Sequence, residues 1–234
     1  MTRTRDPAVS PSLTRPQERI LVAAERLFVE AGFGVSLREI AVASGQRNHS
    51  AVQYHFGDRA GLADALYRYR MVPLNARRAE MMEEIWARGE ERDIEVLLRA
   101  YIVPMAEHLL AQPGRSWYLR LMARFIISGV YTDLPFPSDY YVQFSKLEEM
   151  LMAADACITQ SRVYLVTLHV VSVLASLETR LALEPALADR AGEEIEDLVL
   201  TAYAVATAPA PRPGRKRPDI NGGRSSSDAT YATG

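Results

Sequence analysis

Nearly every side chain in Gln46-Arg47-Asn48-His49-Ser50-Ala51-Val52-Gln53-Tyr54-His55 donates or accepts hydrogen bonds. Such groups in a row suit base edges and the phosphates around them. Arg47 can pair with guanine or with phosphate, Asn48 and Gln53 can read adenine edges, and Ser50 can meet either a base or a phosphate. His49 opens the short helix that presents them. Arg38, on the preceding helix, can reach a phosphate. Arg59 can join the same phosphate track as the helix N-terminus it starts. A solvated loop would also be polar. It would not run directly into Tyr54-His55-Phe56-Gly57-Asp58 and a capped helix.

The elements that hold these residues follow from capping and periodicity. Thr14 and Gln17 have capping-box spacing, and Ile20, Ala23, Ala24, Leu27, Phe28 and Ala31 recur on one face. Gly32 and Gly34 end this first helix. Ser36 and Glu39 form a second box, with Leu37, Ile40 and Ala41 on the apolar side and Gly45 as the stop. A short helix over about 49–56 follows, and Asp58 caps a fourth that carries Leu62, Leu66 and Tyr69. Two short helices joined by a glycine turn form a stiff corner: the second lies in the major groove and the first crosses the backbone. Phe56, Phe28, Leu27, Ile40 and Leu62 are expected to be core that fixes this angle.

The segment from about Arg15 to Arg70 resembles the DNA-binding domain of the TetR family of bacterial transcriptional regulators. The resemblance rests on Ile20 to Phe28, Glu30-Ala31-Gly32-Phe33, Leu37-Arg38-Glu39-Ile40-Ala41, Gly45, Tyr54-His55-Phe56, Asp58-Arg59 and Leu62. It implies that Tyr54 and His55 point their hydroxyl and ring N–H at the DNA backbone. The spacing from Gly45 to Tyr54 is two residues longer than the family's usual pattern, so individual base contacts do not transfer.

Pro73, Gly89, Pro104, Pro113-Gly114, the Pro135–Pro137 stretch and Pro185 punctuate the rest. They predict helices near 74–88, 93–110, 115–129, 138–155, 159–183 and 189–207, with Pro104 able to kink its segment rather than end it. The family resemblance implies that this body dimerises and encloses a small-molecule pocket. The last two helices are the most apolar, which suits a contact across a two-fold axis. Tyr101, Met105, His108, Trp117, Tyr118, Met122 and Phe125 are the pocket candidates, with ordinary core packing as the alternative for each.

The charge pattern fits a head and a body of different roles. Residues 1–79 carry 12 Lys+Arg against 7 Asp+Glu, or +5. Residues 80–208 carry 10 against 20, or −10, and residues 209–234 carry 5 against 2, or +3. A positive head can face phosphates although the whole chain is −2. The expected organisation is a flexible arm over 1–13, a helix-turn-helix domain over 14–71, a helical ligand-binding and dimerisation domain over 72–208, and a disordered basic tail over 209–234. The fold class is all-α.

Several classes are disfavoured. There is no phosphate loop, dinucleotide glycine pattern, GxSxG or HExxH. No enzyme activity, metal or cofactor is expected. The single cysteine, Cys157, excludes an intrachain disulfide and is expected to be a buried thiol. The uncharged run from Val163 to Leu177 falls short of the about 20 residues a bilayer needs, so no membrane partner is expected.

The resemblance thus implies a sequence-specific regulator of transcription. It would be a homodimeric repressor joined through its last two helices and released from a palindromic double-stranded operator by a small-molecule ligand. It would work in the bacterial cytoplasm, associated with the nucleoid. The alternatives are a transcriptional activator, or a helical protein-interaction module that keeps the fold without operator binding.

Overall fold

Thr14 begins the ordered head: its N–H donates to Gln17 Oε1 at 2.9 Å, and Pro16 sits in the first turn of α1 (Arg15–Ala31), where its missing N–H costs nothing. The computed structural model describes residues 13–111, 113–128 and 142–209. The expected arm, the Pro135–Pro137 stretch and the basic tail lie outside these, apart from Leu13 and Pro209. Every regular element among the described residues is helical, as the periodicity predicts.

The second capping box also closes. Glu39 N–H donates to Ser36 Oγ at 3.2 Å, and Ser36 N–H donates to Glu39 Oε2 at 2.7 Å. This fixes the start of α2 (Leu37–Ala43). After the turn come α3 (Ala51–Phe56) and α4 (Arg59–Arg88), the latter capped by Asp58, whose Oδ1 accepts from Gly61 N–H at 2.8 Å.

Two sequence expectations are corrected here. The recognition helix starts at Ala51 rather than His49, because residues 46–50 are spent on the turn. The helix predicted to begin after Pro73 does not begin there: α4 runs through Pro73 unbroken for 30 residues, about 45 Å. Pro73 is exposed, while Met71 and Leu74 beside it are buried. Apolar burial on both sides thus outweighs the one backbone bond that proline removes.

The body contains α5 (Ile94–Ala111), α6 (Tyr118–Ser128), α7 (Val142–Ala154), α8 (Gln160–Leu183), a 3-10 turn (Pro185–Arg190) and α9 (Ala191–Thr207). Pro104 stays inside α5, buried. α8 packs against α6 and α9, and Val166, Val170, Leu174, Leu177 and Leu181 feed the body's core. It is also long and apolar enough to cross a membrane by length and composition, and 44% of its most apolar window is buried within this chain. Cys157 is exposed, contrary to expectation. α7 has ended at Ala154, the turn presents the thiol to solvent, and Ile158 takes the buried place.

A second, smaller core unites α1, α2, α3 and the start of α4 through Ile20, Phe28, Ile40, Val52 and Leu62. Leu27 and Phe56 pack against it half-buried. Leu121 and Phe125 of α6 belong to this core too, so the body reaches into the head. Phe33 stacks on Phe125 at 4.6 Å, and Arg124 donates to the Val29 carbonyl at 2.7 Å near the C-terminal end of α1.

Candidate nucleic-acid interface

The polar stretch forms one exposed face. Ser44 N–H closes back on Ile40 O, Gly45 N–H on Val42 O and Gln46 N–H on Ala41 O. Gly45 has φ +71°, the left-handed region that a side chain disfavours, which is why the chain can turn sharply there. Asn48 Oδ1 then accepts from Ser50 N–H at 2.9 Å, and Asn48 O accepts from Ala51 N–H at 3.0 Å, so Asn48 initiates α3. The two extra residues of this chain therefore lengthen the turn, and α3 is only six residues long.

Arg38, Arg47, Asn48, His49, Ser50 and Gln53 are all exposed, and His55 is half-buried. Tyr54 is 83% exposed and meets the His55 ring edge-on at 5.1 Å. An apolar ring pointed so far into water has no packing role in the chain itself. Behind this face Ala51 and Val52 are buried and bind α3 to the head's core. Reading adenine bidentately takes both ends of a carboxamide. Gln53 can offer both, whereas the oxygen of Asn48 is engaged in the turn.

Arg59 is placed differently from expectation. Its guanidinium donates to the carbonyl oxygens of Phe33 and Val35, tying the start of α4 to the link between α1 and α2. It braces the head through these two bonds. Gly61 was not singled out in the sequence, yet it sets how closely α3 approaches α4: a Cβ there would lie 2.0 Å from Phe56 O. The Asp58-x-x-Gly61 spacing directly after Tyr54-His55-Phe56 is its signal.

The pocket candidates are brought together only in part. Tyr118, Met122 and Phe125 line one cavity with Glu25, Phe28, Leu66 and Arg70, between head and body. It measures about 20 Å³, room for a single water. Tyr101 and Met105 lie in the body's core, and the Trp117 ring is covered by the Arg120 guanidinium at 3.7 Å. His108 stands beside the cavity's charged wall, with Nε2 3.0 Å from Arg70 Nη1. Arginine can only donate, so Nε2 is the unprotonated nitrogen. Burial, and secondarily the Arg70 charge, hold the imidazole down at about 4.

Sequence reading missed that charged wall. Glu25 is wholly buried, and its two oxygens accept from Arg70 Nε at 2.5 Å and Nη2 at 2.6 Å. Burial pushes the Glu25 carboxyl up against the pull of Arg70. Nearby, buried Glu178 of α8 accepts from the backbone N–H of Arg120 at 2.9 Å and from its Nε at 3.0 Å, capping the start of α6. The signal was present: Glu25 lies four residues from Leu21 and three from Phe28, on the apolar stripe of α1. Among the described residues no cluster of His, Cys, Asp or Glu could hold a metal.

Residues 20–66 match the model of the family described as bacterial regulatory proteins, tetR family. No curated protein matches the chain. Among solved structures it is similar to native NalD, the secondary repressor of the MexAB-OprM multidrug efflux pump in Pseudomonas aeruginosa, at 20% identity and TM-score 0.40. A second crystal structure of NalD gives 18% and 0.35, and each likeness covers 80% of this chain and 95% of the other. The match shows that residues 20–66, about a fifth of the chain, are similar to the N-terminal domain of the tetR family of bacterial regulatory proteins.

Proposed function

We propose that the protein is a homodimeric repressor that binds a palindromic operator and leaves it when the body takes up a small-molecule ligand. One observation carries the DNA reading: the head packs its apolar residues inward and presents Arg38, Arg47, Asn48, His49, Ser50, Gln53 and Tyr54 together to solvent, with His55 half-buried beside them. Arg47 and Gln53 would read base edges, while Arg38, Tyr54 and His55 would hold phosphates. Arg59 is omitted from this set. The head would comprise residues 14–71 and the body 72–208, joined within α4 itself. The protein would act in the cytoplasm, on the nucleoid.

Exposed apolar side chains support the dimer. Tyr164 and Leu165 on α8 and Leu200 and Tyr203 on α9 remain exposed. His169 Nε2 lies 2.8 Å from Thr201 Oγ1, joining the two helices that carry this surface. Two such pairs across a two-fold axis would form a four-helix contact.

Selection of bound sequences from random DNA tests the function. A palindromic consensus is expected, with binding that weakens steeply as salt rises. Retention of DNA without sequence preference, or no retention, would reject the operator reading and favour a protein-interaction module.

A further inference from the structure

Among the described residues, one cation inside the body has no counter-ion. Arg78 lies on the α4 stripe between Leu74 and Met82 and is 1% exposed. Its guanidinium donates once, from Nη1 to Asn75 Oδ1 at 3.1 Å, and stands 6.0 Å from the centre of the Tyr101 ring. Its Nε–H is buried with no acceptor. Among the described residues no carboxylate comes within ion-pair distance of it, whereas the other arginine buried on α4, Arg70, is held by Glu25. Glu148 of α7 acts on Tyr101 electrostatically, but burial alone holds its carboxyl above the ordinary range. A guanidinium partner would pull it the other way.

The surroundings of Arg78 have a definite chemistry. Tyr101 of α5 meets Phe144 of α7 at 5.2 Å, and its hydroxyl donates to Thr167 Oγ1 of α8 at 3.2 Å. That bond fixes the orientation of the ring. A guanidinium is a planar fork of donors matched to the two oxygens of a carboxylate, and it keeps its charge when buried. Buried charges are ordinarily paired with an opposite charge.

We propose that Arg78 anchors the carboxylate of a small monocarboxylic acid, whose apolar part lies against Tyr101 and Phe144. This names the ligand class of the proposed ligand-released regulator and rests on that reading. The acid would be separated from its neutral amide by charge at Arg78, since both share one apolar part. Asn75 would contribute by orienting the fork.

Calorimetry on the purified full chain without DNA tests the site, using benzoate and decanoate, each against its own amide. At least one acid should bind about tenfold or more tightly than its amide. Arg78→Met should bring that ratio close to one and, with no probe present, should melt above the unsubstituted protein, because an unpaired buried charge is gone. Arg78→Lys should retain part of the preference, and it carries the test should the methionine variant fail to fold. Amides that bind as well as both acids, or a preference undiminished in these variants, would overturn the site. The selected operator separates this from the parent reading. An acid bound through Arg78 that leaves the operator complex intact refutes ligand release and upholds the carboxylate site. Operator binding without any preference for acid refutes the site and leaves the regulator standing.

Discussion

Glu25→Gln isolates the charge that joins α1 to α4. The substitution keeps the shape of the side chain but leaves the Arg70 guanidinium, 3% exposed, without its anion. Removing one partner of a buried pair costs about 3–5 kcal/mol. Burial already opposes ionisation of Glu25, which places the expectation at the lower end, about 3 kcal/mol. For a chain of this size that is a fall in Tm of about 6–12 °C. Replacing both partners with apolar residues, Glu25→Leu with Arg70→Met, should bring stability back to within about 1–2 kcal/mol of the starting protein. Urea unfolding followed by circular dichroism measures Glu25→Gln and, with Glu25→Leu and Arg70→Met also made singly, every corner of the cycle. A single substitution costing under about 1 kcal/mol, or a double that costs the sum of the singles, would refute the claim that the pair stands ionised and desolvated.

Further outcomes follow from other contacts. His108 has a folded pKa of about 4 against 6.5 unfolded, so it contributes stability above pH 6.5 that is lost as pH falls towards 4; His108→Asn should flatten that stretch of a Tm-against-pH curve. Ser36→Ala removes the acceptor for Glu39 N–H and should cost about 1 kcal/mol in thermal unfolding. Leu165→Glu combined with Leu200→Glu should give monomers in sedimentation without lowering helix content; a persisting dimer would place the interface elsewhere. Arg47→Ala should weaken binding to the selected operator by about 1–3 kcal/mol and relax its sequence preference, as read by titration on operator variants.

The head was legible because its signals are local. Ser36 and Glu39 cap within one turn, and Ile20, Phe28 and Ile40 report burial by spacing alone. The unbroken α4 was not legible, because what carries the helix past Pro73 is burial of Met71 and Leu74 in the body's core rather than anything nearby in the chain. Arg59 shows the same limit: its bonds to the carbonyls of Phe33 and Val35 come from residues far from it in the chain. The scattered pocket candidates were chosen by residue type, which cannot tell the body's core from the junction where Tyr118, Met122 and Phe125 meet. Glu25, Arg70 and Arg78 carried the opposite clue, as charges on apolar stripes.

The lengthened turn between α2 and α3 has a consequence for time as well as shape. The backbone N–H groups of Arg47, Asn48 and His49 donate no backbone hydrogen bond among the described residues, while α1 and α2 before them are laddered and capped. Their exchange with deuterated solvent should therefore be far faster than that of Ile20 or Ile40. DNA would then meet reading groups that sample several poses on a rigid mount, and would settle them as it binds. That predicts slow, temperature-sensitive tightening after a rapid, salt-driven encounter, with most discrimination between operators expressed in how long each complex lasts.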